Sequence, residues 1–210
     1  MRGPGEKMSI YDSKFPVSFG NTKLSKNIMI LNMCSASDCP ADLLGMCPLG
    51  KNGSAKCYAL KAEKLWKEVL PFHKKQEKLW DDHTSQELKE IFDDVLKRRR
   101  IKVKYFRFNE SGDFKSQKDV EKLDQLAKHL ASKWGITTYG YSSRKDLDFS
   151  RVSFIIKGSR FQTKDGQTDV FVDTPPKGYF VCPKKRGNNI KCGEDCTACM
   201  RPGNVAFRLH

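Results

Sequence analysis

The sequence predicts an α/β fold: an incomplete, half-closed βα barrel-like sheet with irregular Cys-rich loops at both ends. Three observations carry this reading. Helical and strand patterns alternate through the middle of the chain, the order expected of βα units and a mainly parallel sheet. There are too few such units for a complete eight-fold barrel. The cysteines avoid this body and fall in two groups, Cys34, Cys39, Cys47 and Cys57 near the start and Cys182, Cys192, Cys196 and Cys199 near the end. A single domain over residues 1–210 is expected, with an N-terminal cysteine loop at 34–57, a body at 58–181 and a C-terminal cysteine loop at 182–203.

Residues 1–30 are polar and read as an extended arm, with a strand at Ile28 to Leu31 leading into Cys34. Pro40, Gly45, Pro48, Gly50 and Gly53 break any regular pattern in the first thiol loop. A long irregular loop needs something to hold it, and a metal would do so. From Tyr58, apolar residues recur at helical steps, Leu60, Leu65, Trp66 and Val69. Pro71 is read as an interruption, after which Phe72 to Trp80 continues as another helix. Thr84 and Glu87 form a capping-box signature opening a helix with Leu88, Ile91, Phe92, Val95 and Leu96 inward. It ends in Arg98-Arg99-Arg100, where cations suit the helix dipole.

Ile101 to Phe108 alternates as a strand, followed by the loop Asn109-Glu110-Ser111-Gly112-Asp113. Ser116 opens a helix with Val120, Leu123, Leu126, Ala127, Leu130 and Ala131 on one face, and Gly135 supplies its C-cap. Strands are expected at Ile136–Tyr141, Val152–Ile156, Asp169–Val172 and Tyr179–Val181.

Lys and Arg number 39 against 25 acids, a formal charge of +14. That surplus favours polyanions such as nucleic acid, or an acidic partner protein, although scattered basic residues equally serve solubility. No apolar run reaches the roughly 20 residues of a membrane helix, so no membrane association is expected. The N-terminus has no apolar signal core, and a cytoplasmic location is expected. There thiols stay reduced, and metal ligation is a better use of eight cysteines than structural disulfides.

Zinc sites are usually built from paired Cys-x-x-Cys knuckles, and only Cys196 and Cys199 make one. The first group has gaps of four, seven and nine residues. A cluster core is wider than one ion and accommodates such spacing, so each group is read as ligating a [4Fe–4S] cluster, one or two in all, with zinc as the alternative. Cys39-Pro40, Cys47-Pro48 and Cys182-Pro183 fit the Cys-Pro steps of ferredoxin-type runs. Proline has no N–H to donate to a sulfur, which is expected to lower the potential. Cys192-x3-Cys196-x2-Cys199 has the spacing of the radical-SAM triplet. Its late position and the availability of Cys182 as a fourth ligand argue against that chemistry. His73, His83, His129 and His210 show no ligand spacing.

Strand ends in parallel sheets are where ligands bind. Arg107, Asn109, Glu110 and Asp113 would bring a cation, an amide and two carboxylates to one mouth, and Tyr141, Ser142 and Arg144 would face it from the next strand. Asp173 would join from a later one. The plain alternative is a βα turn in which Gly112 supplies a positive φ and Asp113 a cap. No phosphate loop, Ser–His–Asp order or His-rich triad indicates hydrolysis.

The runs CPLGKNGSAKCYA, RFNESGDF, TTYGYSSR and CGEDCTACMRPG, in this order, resemble the bacteriophage "gene product eighty-eight" domain family. The resemblance implies a viral iron–sulfur protein related to trimmed radical-SAM barrels, working in the host cytoplasm. The expectation is a cluster-binding protein with a redox or structural role and a redox partner protein. A zinc-stabilised nucleic-acid-binding protein and a radical-SAM-like enzyme are the alternatives.

Overall fold

Alternation along the strands gives the sheet one packed face and one open face. On β3 (Tyr105–Phe108), Phe106 and Phe108 are fully buried against the helices, while Tyr105 and Arg107 point the other way. On β4 (Thr137–Ser142), Tyr139 and Tyr141 share the face of Arg107. Gly140 between them lies where a Cβ would meet the Phe108 ring at 2.5 Å, so only glycine lets this strand approach.

The computed structural model describes residue 12 and residues 14–50, 56–184 and 188–208. Besides β3 and β4, its strands are β1 (Ser18–Phe19), β2 (Ile28–Leu31), β5 (Ile155–Ser159), β6 (Gln167–Phe171), β7 (Phe180–Val181) and β8 (Val205–Arg208). They form one sheet in the order β1-β2-β3-β4-β5-β6-β8-β7. β1 is antiparallel to β2 and every other pairing is parallel. The sheet is open, with β1 and β7 at its edges.

The helices are α1 (Pro40–Leu43), α2 (Tyr58–Leu65), α3 (Val69–Asp82), α4 (Ser85–Arg98) and α5 (Gln117–Trp134). Leu79, Trp80, Leu88, Phe92, Leu123 and Leu130 bury the packed face in one core. Both Thr84 and Glu87 form the expected capping box, and Gly135 ends α5 at φ 66°. Asp119 accepts from the Ser116 N–H at 3.2 Å and from Trp80 Nε1 at 2.8 Å, tying α3 to α5.

Several elements differ from expectation. Pro71 does not break a helix. It lies in the first turn of α3, where its missing N–H costs nothing, and the break falls instead at Trp66, which is extended. The arm is part of the core: Val17 and Phe19 are fully buried and β1 hydrogen-bonds to β2. β8 went unpredicted because VAFR is too short and too mixed to read as a strand. α1 forms within the first thiol loop behind Pro40 at N1.

Residues 1–11, 51–55, 185–187 and 209–210 lie outside the described residues, as does residue 13. Among these are His210, Lys185, Arg186 and part of the first thiol loop. No helix among the described residues is long and apolar enough to cross a membrane.

A candidate cavity lined by two thiol groups

The parallel strands send their C-terminal ends toward one side, and the loops that follow build the site. β2 leads into residues 32–36 and Cys34, β3 into Asn109–Asp113, β4 into Ser143, and β7 into Cys182. With the open face of the sheet they enclose a cavity of about 800 Å³. Cys39, Cys47 and Cys57 line it from one side, and Cys182, Cys192, Cys196 and Cys199 from the other. All eight cysteines are free thiols.

The C-terminal thiols are held by the segment that precedes β2. Ser25 N–H donates to the Cys192 carbonyl at 3.0 Å, and Cys192 N–H donates to the Lys23 carbonyl at 3.0 Å. Ser25 Oγ donates to Glu194 at 2.6 Å and Asn27 Nδ2 donates to the Gly193 carbonyl at 3.0 Å. Gly193 has φ 88° and sits against Asn27 and Ile28, leaving no room for a side chain. A 3-10 turn, Ala198–Met200, packs on β4 and brings Cys199 to Tyr141. Lys157 on β5 is fully buried, and its ammonium donates to the carbonyls of Asp165, Arg201 and Gly203.

Within each group the thiols are near enough to raise one another's pKa by charge repulsion. Cys182 is affected by Cys196, Cys192 by Cys182 and Cys196, and Cys199 by Cys182 and Cys192. In the first group the series runs from Cys34 to Cys39, Cys47 and Cys57. Burial is the larger cause throughout. It pushes Cys39 up to about 12 and Cys199 up to about 11, values at which the free thiols keep their protons. Among the described residues, no three His, Cys, Asp or Glu side chains converge closely enough to hold a single metal ion.

Against this burial, backbone amides beyond the proline lower the thiols' pKa, those of Ala41 and Asp42 at Cys39, Leu49 and Gly50 at Cys47, and Lys184 at Cys182. The N–H groups of Asp42 and Gly50 donate to the Cys39 and Cys47 carbonyls, at 3.1 and 3.3 Å. Ser143 adds a side-chain hydrogen bond to Cys47. Such donors favour a thiolate.

Cys34 stands apart from its group. It is fully buried and absent from the cavity wall. Its Sγ accepts the Asp113 N–H at 3.3 Å and faces the Asp113 carbonyl at 3.3 Å.

The predicted strand-end residues divide by role. Arg107, Asn109, Glu110, Asp113, Tyr141 and Ser142 all line the cavity. Asn109, at φ 50°, uses its side-chain oxygen to accept the Met33 N–H at 3.1 Å, so it fastens the loop after β2. Asp113 is buried and accepts from Ser142 Oγ at 2.7 Å and Ser143 N–H at 2.7 Å, and burial lifts its pKa to about 6. Arg144 turns away from the cavity: it donates to the carbonyls of Phe114 and Lys115 and grips Asp146 with two bonds of 2.7 and 2.8 Å. Asp173 is exposed and lies off the wall.

Sequence reading missed the residues that hold the loops. Glu63 of α2 is buried and accepts from the N–H groups of Ala36 and Ser37 at 2.7 and 3.0 Å, from Ser111 Oγ at 3.1 Å, and pairs with His73 at 2.7 Å. Burial opposes ionisation there, but these donors outweigh it and lower its pKa. Gln76 of α3 is fully buried and accepts from Asn32 Nδ2 at 2.8 Å, while Asn32 accepts the Ser111 N–H at 2.8 Å. A charged or amide residue on a helix pattern gives no hint of such a partner.

No curated protein and no solved structure matches this chain. A family model described as Gene product 88 matches residues 13–154. That stretch holds the first thiol group, the β3 loop and the β4 end, and the C-terminal thiol group lies beyond it. Since the match spans most of the chain, the protein belongs to the Gene product 88 family.

Proposed function

We propose that this is a phage iron–sulfur protein with a redox role, its two thiol groups each holding a [4Fe–4S] cluster at one cavity. The observation that carries the reading is the gathering of both groups, far apart in sequence, on the walls of the same cavity. The thiols of each group neighbour one another. Their uneven spacing in sequence suits a polynuclear core better than the paired knuckles of a zinc site. The backbone amides near Cys39, Cys47 and Cys182 lower the thiols' pKa, which suits the negative charge of thiolate ligands. Cys182, Cys192, Cys196 and Cys199 would hold one cluster. Cys39, Cys47 and Cys57 would hold the other, with Cys34 behind them. Bound clusters supply one-electron transfer. The chain's own residues fix the ligands, bury them and surround them with Arg107 and three tyrosines. An open, mainly parallel sheet with α3, α4 and α5 on its packed face is in keeping with a half-barrel.

The position of Cys34 favours a second reading, a radical-SAM-like enzyme. With Cys34 engaged by Asp113, the first group offers three thiols to the cavity. Three ligands would leave one iron without a protein partner, which suits chemistry on a bound substrate.

The test is iron, sulfide and zinc content with an absorption spectrum, on protein purified without oxygen. About eight irons and eight sulfides with a broad band near ~400 nm are expected. Zinc in a colourless protein would overturn both readings, and salt-sensitive DNA binding would then favour the nucleic-acid alternative. Reductive cleavage of S-adenosylmethionine by the loaded protein would select the enzyme.

A further inference from the structure

Arg107 and Tyr139 line the cavity, and the Arg107 Nε and the Tyr139 hydroxyl have no hydrogen-bond partner among the described residues. They are directly paired across β3 and β4, so their side chains stand side by side on the open face. The Arg107 side chain is 14% exposed. Its Nη2 reaches Tyr58 Oη at 3.4 Å, and its Nη1 is 4.0 Å from Glu110. Glu110 is itself drawn to Asn21, whose Nδ2 donates to it at 2.6 Å. The Arg107 Nε is buried with no partner. Tyr139 is 1% exposed, and its hydroxyl has no partner either.

A buried donor without an acceptor is costly. Two such donors side by side, with Glu110 only at the outer limit of an ion pair, mark the place of an absent acceptor. A planar guanidinium edge matches a carboxylate by two parallel bonds, and a phenol hydroxyl can donate a third. The walls suit an organic body. The Tyr141 ring lies 5.4 Å from the Arg107 guanidinium and makes an edge contact with Phe207 at 6.2 Å. The cavity, about 800 Å³, has the size of a small-molecule site.

We propose that Arg107 and Tyr139 bind the carboxylate of a small organic acid in the cavity between the two thiol groups. Burial keeps the Tyr139 hydroxyl protonated, so it is a donor at neutral pH. The rival use of Arg107 is to offset charge on Cys192 and Cys199, whose pKa values it lowers. The proposal does not require that the thiols hold clusters, and iron content read separately distinguishes its failure from that of the cluster reading.

The experiment is calorimetric titration of the full chain with benzoate, and separately with inorganic phosphate, alongside iron content and Tm. Saturable one-to-one benzoate binding is expected, weakened about tenfold by Tyr139→Phe and abolished by Arg107→Gln. Tyr139→Phe removes only a hydroxyl without a partner, so its iron content should be unchanged and its unliganded Tm no lower than that of the native chain. Absence of benzoate binding would overturn the proposal, as would phosphate binding as tightly, or benzoate affinity unchanged by Tyr139→Phe. A fall in the unliganded Tm of Tyr139→Phe would do the same, by assigning its hydroxyl a partner within the protein. Loss of iron in Arg107→Gln with benzoate binding retained would assign Arg107 to the thiols instead. Should Arg107→Gln fail to fold, Tyr139→Phe carries the test alone.

Discussion

The Sγ of Cys34 sits on the backbone of Asp113, accepting its N–H at 3.3 Å and facing its carbonyl at the same distance. Gly112 makes this approach possible. It has φ 74°, and a Cβ there would lie 2.3 Å from the Cys34 sulfur and 2.5 Å from its carbonyl oxygen. Gly112→Ala therefore combines backbone strain with overpacking against fixed atoms. A loss of about 2–4 kcal/mol is expected, measured by urea unfolding. An unchanged midpoint would mean that the two loops do not meet as described.

The same contact separates Cys34 from the other thiols of its group. Burial holds its proton on, well above the usual thiol range. Cys34→Ser should leave most of the iron in place, whereas Cys39→Ser, Cys47→Ser and Cys57→Ser should each remove about half of it from a two-cluster protein. Iron and sulfide assays on the four variants decide this. Equal losses in all four would make Cys34 a ligand.

Lys157 clamps the segment that carries Cys199. Its ammonium serves three carbonyls, those of Arg201 and Gly203 at the end of the C-terminal thiol loop and that of Asp165 between β5 and β6. Lys157→Met keeps the volume and removes every donor. A cost of about 2–4 kcal/mol is expected, together with iron loss that the Cys199→Ser variant does not add to. Additive losses in the double variant would place the two residues in separate sites.

Asp93 supplies a pH dependence remote from the thiols. Burial opposes its ionisation, but Lys133, Trp134 and His129 all donate to it, at 2.5, 2.6 and 2.9 Å, and hold its pKa down at about 2. The folded value lies below the ordinary carboxylate value of 3.8, so the ion pair stabilises the protein fully above pH ~4. That contribution, about 2 kcal/mol, is lost as pH falls toward 2. Asp93→Asn should lower Tm at pH 7 and flatten the native chain's decline in Tm between pH ~4 and ~2. A parallel decline in both proteins would assign the acid sensitivity elsewhere.

What the sequence determined by itself was local. Thr84 and Glu87 marked the start of α4, Gly135 the end of α5, and the alternation of β3 its two faces, because capping and periodicity depend only on near neighbours. The motifs at 47–59, 107–114, 137–144 and 192–203 also carried the resemblance, and the family match over residues 13–154 takes in the first three. Only the tertiary structure decided that the thiol groups meet, because sheet order brings β7 and the segment before β2 to the same cavity. It also decided the use of each polar side chain. Arg107 and Arg144 look equivalent at successive strand ends, yet one faces the cavity with an unpartnered Nε and the other is consumed by two carbonyls and Asp146. Hydrogen bonding between residues dozens of positions apart leaves no periodicity to read, and it is what divides the site from its scaffold.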